Sequence, residues 1–303
     1  MKFLKRMKDL SPERTLKYRL HQYLGGPKPG RSYKRIHASE LTKAEGFCPR
    51  FVALMCATNA KVPDEYLITS LAVTFRIGND LQDSLVNWFA DMDVAVGHWK
   101  CGACGHLHEF CKRPQQCSTC GCKAIAPVEP RFTSAYSGAS CGVDMLASLG
   151  NPKLTPVEIK TIDKEEFKGL VAPLSEHRQR TSLYLRIIEE SDHPFSQQVD
   201  TQEARVFYVS KGGYGCLDDE VKKWGIGEQF SPFKEFTITR NDTVTEEPTK
   251  RARAAYQYMQ GEVGMPEGIC ETALGKRAKR CPKVKECFSG KFPAEHEWRS
   301  KEA

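Results

Sequence analysis

Apolar residues recur at three- and four-residue intervals through Leu71, Phe75, Leu81, Leu85 and Trp88, which predicts helix across a stretch running from 39 to about 93. A second helix is predicted over 174–190, and the chain beyond 246 is helical in composition. Between these, the runs 142–149, 155–161 and 204–209 read as strands. Gly150-Asn151-Pro152 supplies a turn that brings the first two strands together. Residues 1–36 read as a helix followed by a flexible link, Gly25-Gly26-Pro27-Lys28-Pro29-Gly30. Residues 98–128 are small, polar and cysteine-rich, with too few apolar groups for a core of their own. There is no internal repeat and no low-complexity tract.

Composition changes this picture in two ways. With 303 residues, 40% hydrophobic and 27% charged, the chain has the make-up of a globular protein with one large domain, or one domain carrying insertions. No run approaches the eighteen apolar residues of a membrane span, and Met1-Lys2-Phe3-Leu4-Lys5-Arg6 leads into no apolar segment. A cytoplasmic protein with no membrane partner is therefore expected. Thirteen cysteines in a reducing compartment point to metal and not to disulfides. Charge is uneven: residues 1–50 hold 13 Lys and Arg against 4 Asp and Glu, and residues 251–303 hold 11 against 7. The whole chain carries +7, so the middle is acidic, a pattern that suits a polyanion held by the flanks or, more plainly, a solvated surface with a basic tail.

The strongest local signal is Cys101-Gly-Ala-Cys104 with Cys117-Ser-Thr-Cys120, two CxxC pairs each followed by glycine. Two such turns offer four thiolates to a tetrahedral Zn²⁺, and a closed four-thiolate site leaves no position for a substrate. Binding of about 10–16 kcal/mol is available to order so polar a segment. A structural finger is expected, with Cys111, Cys122, His106 and His108 as nearby alternative ligands.

The acidic centre holds a second grouping. Asp144 lies in the apolar run 142–146, where a carboxylate is costly unless paired or metal-bound. Fourteen residues on comes Val157-Glu158-Ile159-Lys160-Thr161, whose alternation sends Glu158 and Lys160 to one face and Ile159 to the other. Two carboxylates holding Mg²⁺ or Mn²⁺, with a lysine beside them, suit phosphodiester hydrolysis. The triplet alone is weak, since Glu-x-Lys also occurs at 166 and 220; a surface ion pair on an edge strand is the competing reading.

Asp144 followed by Glu158-x-Lys160 resembles the core of the PD-(D/E)XK nucleases. Further pieces are similar to the RecB-like, AddB-like iron–sulfur branch that includes the CRISPR-adaptation exonucleases: Ser39-Glu-Leu41 leading to Cys48-Pro49-Arg50, Gly78-Asn-Asp-Leu-Gln82, Glu176-His177 with Tyr184, and Ala204 to Lys211. The resemblance implies an α/β, restriction-endonuclease-like mixed sheet flanked by helices. It implies metal at Asp144, Glu158, the Ile159 carbonyl and Gln82, where the family usually has histidine. It also implies DNA contacts from His177, Arg180 and Tyr184, although the family's glutamine stands as Arg180. Cys48, Cys270, Cys281 and Cys287 resemble its [4Fe–4S] ligands, with ten residues between Cys270 and Cys281 where the family usually has two. By donor type alone these four also suit zinc. Cys56, Cys141 and Cys216 have no partners at useful spacing and are expected to pack as hydrophobes.

The expected organisation is a basic arm over 1–36, a helical region over 37–97, a zinc-finger insertion over 98–128, a nuclease core over 129–246 and a basic cluster-binding region over 247–303. The expected activity is metal-dependent DNA hydrolysis. By resemblance it is exonucleolytic on single-stranded or end-exposed DNA in recombination or repair, with a recombination or helicase partner. A DNA-binding scaffold that keeps the fold without cleaving is the alternative. A zinc-bearing nucleotide-modifying enzyme is disfavoured, since the zinc site looks closed and no deaminase-type His-x-Glu with Pro-Cys-x-x-Cys is present.

Overall fold

The computed structural model describes residues 16–25, 27–28, 35–43, 46–57, 65–66, 68–212, 215–225 and 229–290. Of the basic arm, residues 1–15, 26 and 29–34 lie outside the described residues, while Leu16–Leu24 are helical. In chain order the elements that position the site are helices α1 (Pro49–Ala57) and α2 (Thr69–Asp91), then strands β1 (Ala95–Cys101), β2 (Leu107–Lys112), β3 (Ile125–Val128), β4 (Arg131–Thr133), β5 (Ala139–Gly142), β6 (Met145–Ala147) and β7 (Thr155–Ile162). Helix α3 (Ser175–Glu189), strands β8 (Glu203–Ser210) and β9 (Phe233–Thr239), and helices α4 (Asp242–Gln260), α5 (Lys276–Arg280) and α6 (Val284–Ser289) follow.

The result is the mixed α/β class expected. A seven-stranded sheet runs β9-β8-β7-β6-β1-β2, with β3 also paired to β1. Only β7 and β8 are parallel, joined through α3; the other pairs in this sheet are antiparallel. Strands β4 and β5 form a second, three-stranded sheet with the short strand Ile36–His37.

Helices cover the central sheet on both faces. The C-terminal half of α2 buries Leu85 and Val86 against Trp99, Met145, Val157 and Ile159. On the other side α3 buries Leu183, Ile187 and Ile188 against α1 and α4, each such side chain contributing about 1.5–3 kcal/mol. Helix α2 comes so close to β7 that a Cβ on Gly78 would sit 3.0 Å from Thr161 Oγ1, so a larger residue there would need the Thr161 side chain to give way. Helix α4 is held at its ends by the Asn241 side chain, which accepts from Thr243 N, and by Gly261 in the left-handed region. No helix of the described residues is long and apolar enough to cross a membrane.

Three expectations need correction. The helical stretch over 39–93 is interrupted: Ala38–Leu41, α1 and α2 are separate helices, with the strand Glu65–Tyr66 between the last two paired to Pro27–Lys28. Within α2 the apolar stripe is only partly used, since Leu71, Phe75 and Trp88 are exposed. Its first turns lie beside the helix Leu16–Leu24, which itself buries nothing, so the amphipathic pattern there has no core to enter. Finally, the run 142–149 is not one strand. Strand β5 ends at Gly142 in the small sheet and β6 begins at Met145 in the central one, so Asp144 sits at the bend where the chain changes sheets.

Candidate functional site

That bend decides where the Asp144 carboxylate goes. The β6–β7 ladder ends at Met145↔Val157. Past it, the Ile159 N–H donates to Asp144 Oδ2 at 2.5 Å, so a side chain takes the place of a strand carbonyl. From α2, Gln82 Nε2 donates to Asp144 Oδ1 at 2.8 Å. Alternation on β7 puts Val157 and Ile159 under α2, and Glu158 and Lys160 on the opposite face. There Lys160 pairs with Glu158 Oε1, and its Nζ donates to Ile159 O at 3.3 Å. The Glu158 side chain is only 6% exposed, and its Oε2 has no hydrogen-bond partner.

Burial is the leading influence on the titrating groups of this site. Burial, and then the charge of Glu158, push the Asp144 carboxyl well above the usual range; Lys160 and the Ile159 N–H oppose this without prevailing. Glu129 acts on Asp144 in the same direction as Glu158. Burial works against the Lys160 charge, but Glu158 and Asp144 outweigh it and raise the ammonium above its ordinary value.

The predicted helix residues divide. Arg180 and Tyr184 border the carboxylates: Arg180 acts on both Lys160 and Tyr184, and its Nε is buried without a partner. Burial, then Glu158, push the Tyr184 hydroxyl up, so it stays a neutral hydrogen-bonding group. His177 is instead buried against Tyr208, with Nδ1 2.8 Å from the Tyr208 hydroxyl. That hydroxyl also accepts from Leu174 N at 3.1 Å, and His177 Nε2 faces Glu176 Oε1 at 3.3 Å. Burial and the neighbouring cations Lys160 and Arg180 hold His177 down at about 4, so the ring is neutral at pH 7.

Among the solved structures that resemble the chain are these two. One is "Crystal Structure of LHK-Exo in complex with dAMP", at 11% identity over 76% of this chain and 90% of that one, with a TM-score of 0.41. The other is "Crystal structure of SSO0001", at 12% identity over 90% and 94%, with a TM-score of 0.36. Likeness at this level carries no assignment of activity. No protein-family model matches the chain, and no curated protein does.

The first cysteine set closes as its spacing predicts. Cys101 Sγ lies 3.6 Å from Cys120 Sγ and Cys104 Sγ 3.6 Å from Cys117 Sγ, and all four sulfurs are within 4.8 Å of one another. A tetrahedral zinc with bonds of about 2.3 Å needs sulfurs about 3.8 Å apart, so the set fits that ion. Each turn is closed by a glycine N–H, Gly105 to Cys101 O and Gly121 to Cys117 O, and both glycines are left-handed. Burial tends to raise Cys117, but the Cys120 and Thr119 N–H groups and the His108 ring bring it to about 5. The Cys122 N–H favours the Cys120 thiolate, yet the neighbouring sulfurs of Cys104 and Cys101 push it up to about 12. Four thiolates this close are compatible only with a cation among them. The fragment carrying them is part of the main sheet, since β1 pairs with β2, β3 and β6 alike.

Among the described residues, only that first set gathers three or more His, Cys, Asp or Glu donors within 4.8 Å. The second set is wider. Cys48, Cys270, Cys281 and Cys287 line a cavity of ≈ 240 Å³ between α1, α5, α6 and the segment before α5. Burial, then the charge of Cys48, raise Cys270, and burial with the charges of Cys48, Cys287 and Cys270 raises Cys281 against the Lys283 N–H. Arg277 favours the Cys270 thiolate, and Arg50 Nη1 lies 4.0 Å from Cys287 Sγ. The four cysteines of this set thus line one cavity with Arg50 and Arg277 beside them. Cys141 is buried and Cys56 half-buried, and burial raises both thiols, Cys56 to about 12, as for packed hydrophobes.

Proposed function

We propose that the chain is a divalent-metal-dependent DNA nuclease, exonucleolytic on single-stranded or end-exposed DNA, serving recombination or repair beside a recombination or helicase partner. The observation that carries this reading is the buried, partnerless Oε2 of Glu158 beside Asp144 and Lys160. Asp144, Glu158, the Ile159 carbonyl and a reoriented Gln82 amide are the donors that would hold Mg²⁺ or Mn²⁺. The bound ion would neutralise the scissile phosphate and lower the pKa of water. Lys160, held between Glu158 and Ile159 O, orients the attacking water and meets the charge that develops on phosphate. Arg180 offers its free Nε, and Tyr184 its hydroxyl, to the phosphate backbone. His177 fixes the start of α3 through Tyr208, and its Nε2, now beside Glu176, would be its edge for DNA contact.

The domain reading follows: arm 1–36, helical region 37–97, zinc finger 98–128, nuclease core 129–246 and cluster region 247–303. In it the finger is structural, with zinc on Cys101, Cys104, Cys117 and Cys120, and a [4Fe–4S] cluster on Cys48, Cys270, Cys281 and Cys287 ties α1 to the C-terminal helices. Protein purified without oxygen is expected to show the broad visible absorbance of an iron–sulfur cluster, and Cys281→Ser to lose it. Colourless protein carrying two zinc ions per chain would reassign the second set to zinc.

The test of the activity is a time course on end-labelled single- and double-stranded DNA with Mg²⁺ or Mn²⁺ and with EDTA. Metal-dependent products are expected, and the ladder separates stepwise from internal cleavage. A second reading, a DNA-binding scaffold without turnover, is favoured by one contact: the Gln82 amide donates to the Asp144 oxygen that a metal would use. Salt-sensitive binding with no products would establish it.

A further inference from the structure

Strand register places a third acidic residue at the site. Continuing the β6–β7 register by one residue beyond Met145↔Val157 sets Glu158 opposite Asp144. On the other side, β4 and β5 pair Arg131↔Gly142, and Val143 N donates to Pro130 O at 3.1 Å, so the ladder runs on past the last paired residues. The next position sets Glu129 opposite Asp144. By register, Glu129, Asp144 and Glu158 thus follow one another across three adjacent strand segments, with about 4.8 Å between neighbouring strands. With Glu129 turned to Arg131, the three carboxylates do not all lie within 4.8 Å of one another, so Glu129 has to swing from Arg131 to share a metal with the other two.

Side chains agree with the register. A Cβ on Gly142 would lie 2.7 Å from Glu129 Oε2 and 3.6 Å from Glu129 Cβ, so the carboxylate lies over the bare glycine two residues from Asp144. Like charges facing each other across strands are destabilising unless a cation lies between them. The row's own cations are Lys160, engaged with Glu158, and Arg131, whose Nη2 is 3.2 Å from Glu129 Oε2. The Arg131–Glu129 pair is 52% and 44% exposed, which makes it weak and easily exchanged. The second pointer to a ligand is independent of this row's charge: Glu158 Oε2 is buried with no partner.

We propose that Glu129 is a further carboxylate donor to the divalent metal held at Asp144 and Glu158, supplied by the segment that leaves the cysteine knuckles. This rests on the nuclease reading of the Asp144–Glu158 site. Glu129 follows directly on β3, which pairs with β1 beside the first CxxC, so the cysteine-bearing hairpins and the metal site share one stretch of backbone.

The test is a Mn²⁺ titration of the full chain, reading free Mn²⁺ by electron paramagnetic resonance, for the unaltered protein and for Glu129→Gln, Arg131→Gln and Glu158→Gln. Circular dichroism and zinc content check that each variant is folded. Glu129→Gln is expected to weaken Mn²⁺ binding by about tenfold or more, or to remove one bound ion. Arg131→Gln is expected to leave binding unchanged or tighter. Unchanged Mn²⁺ binding in folded Glu129→Gln, with Glu158→Gln defective, overturns this assignment alone and leaves Glu129 as a surface ion pair. Unchanged binding in both carboxylate variants, or no binding by the unaltered chain, overturns the underlying metal site as well.

Discussion

Lys160→Ala is expected to lower DNA cleavage by about 10³-fold while DNA binding survives. One preorganised donor at a reacting centre is worth about 10²–10³ in rate, and positioned proton transfer about 10²–10⁴. Lys160 is placed for such a role by being held, partly buried, between Glu158 and the Ile159 carbonyl, with Glu158 and Asp144 close enough to raise its pKa. The substitution also strips Glu158 of its cation. Removing one partner of a buried pair costs about 3–5 kcal/mol, so the metal-free variant is expected to melt earlier and to regain stability when Mn²⁺ is added. Single-turnover cleavage, filter binding and thermal melts with and without Mn²⁺ separate these effects. Undiminished turnover in Lys160→Ala would remove this lysine from the reaction.

Cys117→Ser, or stripping the metal with a strong chelator, is expected to unfold more than a surface loop. Structural zinc supplies about 10–16 kcal/mol, comparable with the whole stability of an ordinary domain at about 5–15 kcal/mol. Strands β2 and β3 flank β1 at Cys101, and β1 in turn pairs with β6, the strand that begins one residue after Asp144. Trp99 on β1 is buried and donates its Nε1–H to Cys111 O at 2.9 Å, so its fluorescence reports on the junction. The expected result is release of one zinc per chain, a large fall in melting temperature and a red-shifted tryptophan spectrum. A chain that loses zinc with its melting temperature and spectrum unchanged would show that the hairpins stand without the ion.

What could be read from the sequence was local. The CxxC spacing is a property of two tight turns, and the parity of Glu158 and Lys160 is a property of one strand, so both survived into three dimensions. The turn at Gly150 and the helix over 174–190 are local for the same reason. Asp144 was recognisable as a costly carboxylate in an apolar run, but its bend was not, because the run 142–149 reads the same whether it serves one sheet or two. Leu71, Phe75 and Trp88 follow helical periodicity, which states that a face exists and says nothing of what covers it. Glu129 had no mark of its own. Its position follows from the register of β4 against β5, which pairing between strands sets and no motif encodes.

The shared use of β1 bears on the route by which the chain folds. One edge of β1 is divided between partners, Ala95 and Val96 pairing with β6 and His98 to Cys101 with β3, while β2 occupies the other edge. The β1–β2–β3 contacts span few residues of chain, whereas β7 and β8 are joined only across the whole of α3. Loop-closure entropy favours the short connections first. The metal-clasped hairpins can therefore form early, as a nucleus that presents the free half of β1 as a template. Strand β6, tied to β7 by an equally short connection, docks on that template and carries Asp144 with it, so the position of Asp144 depends on the knuckles.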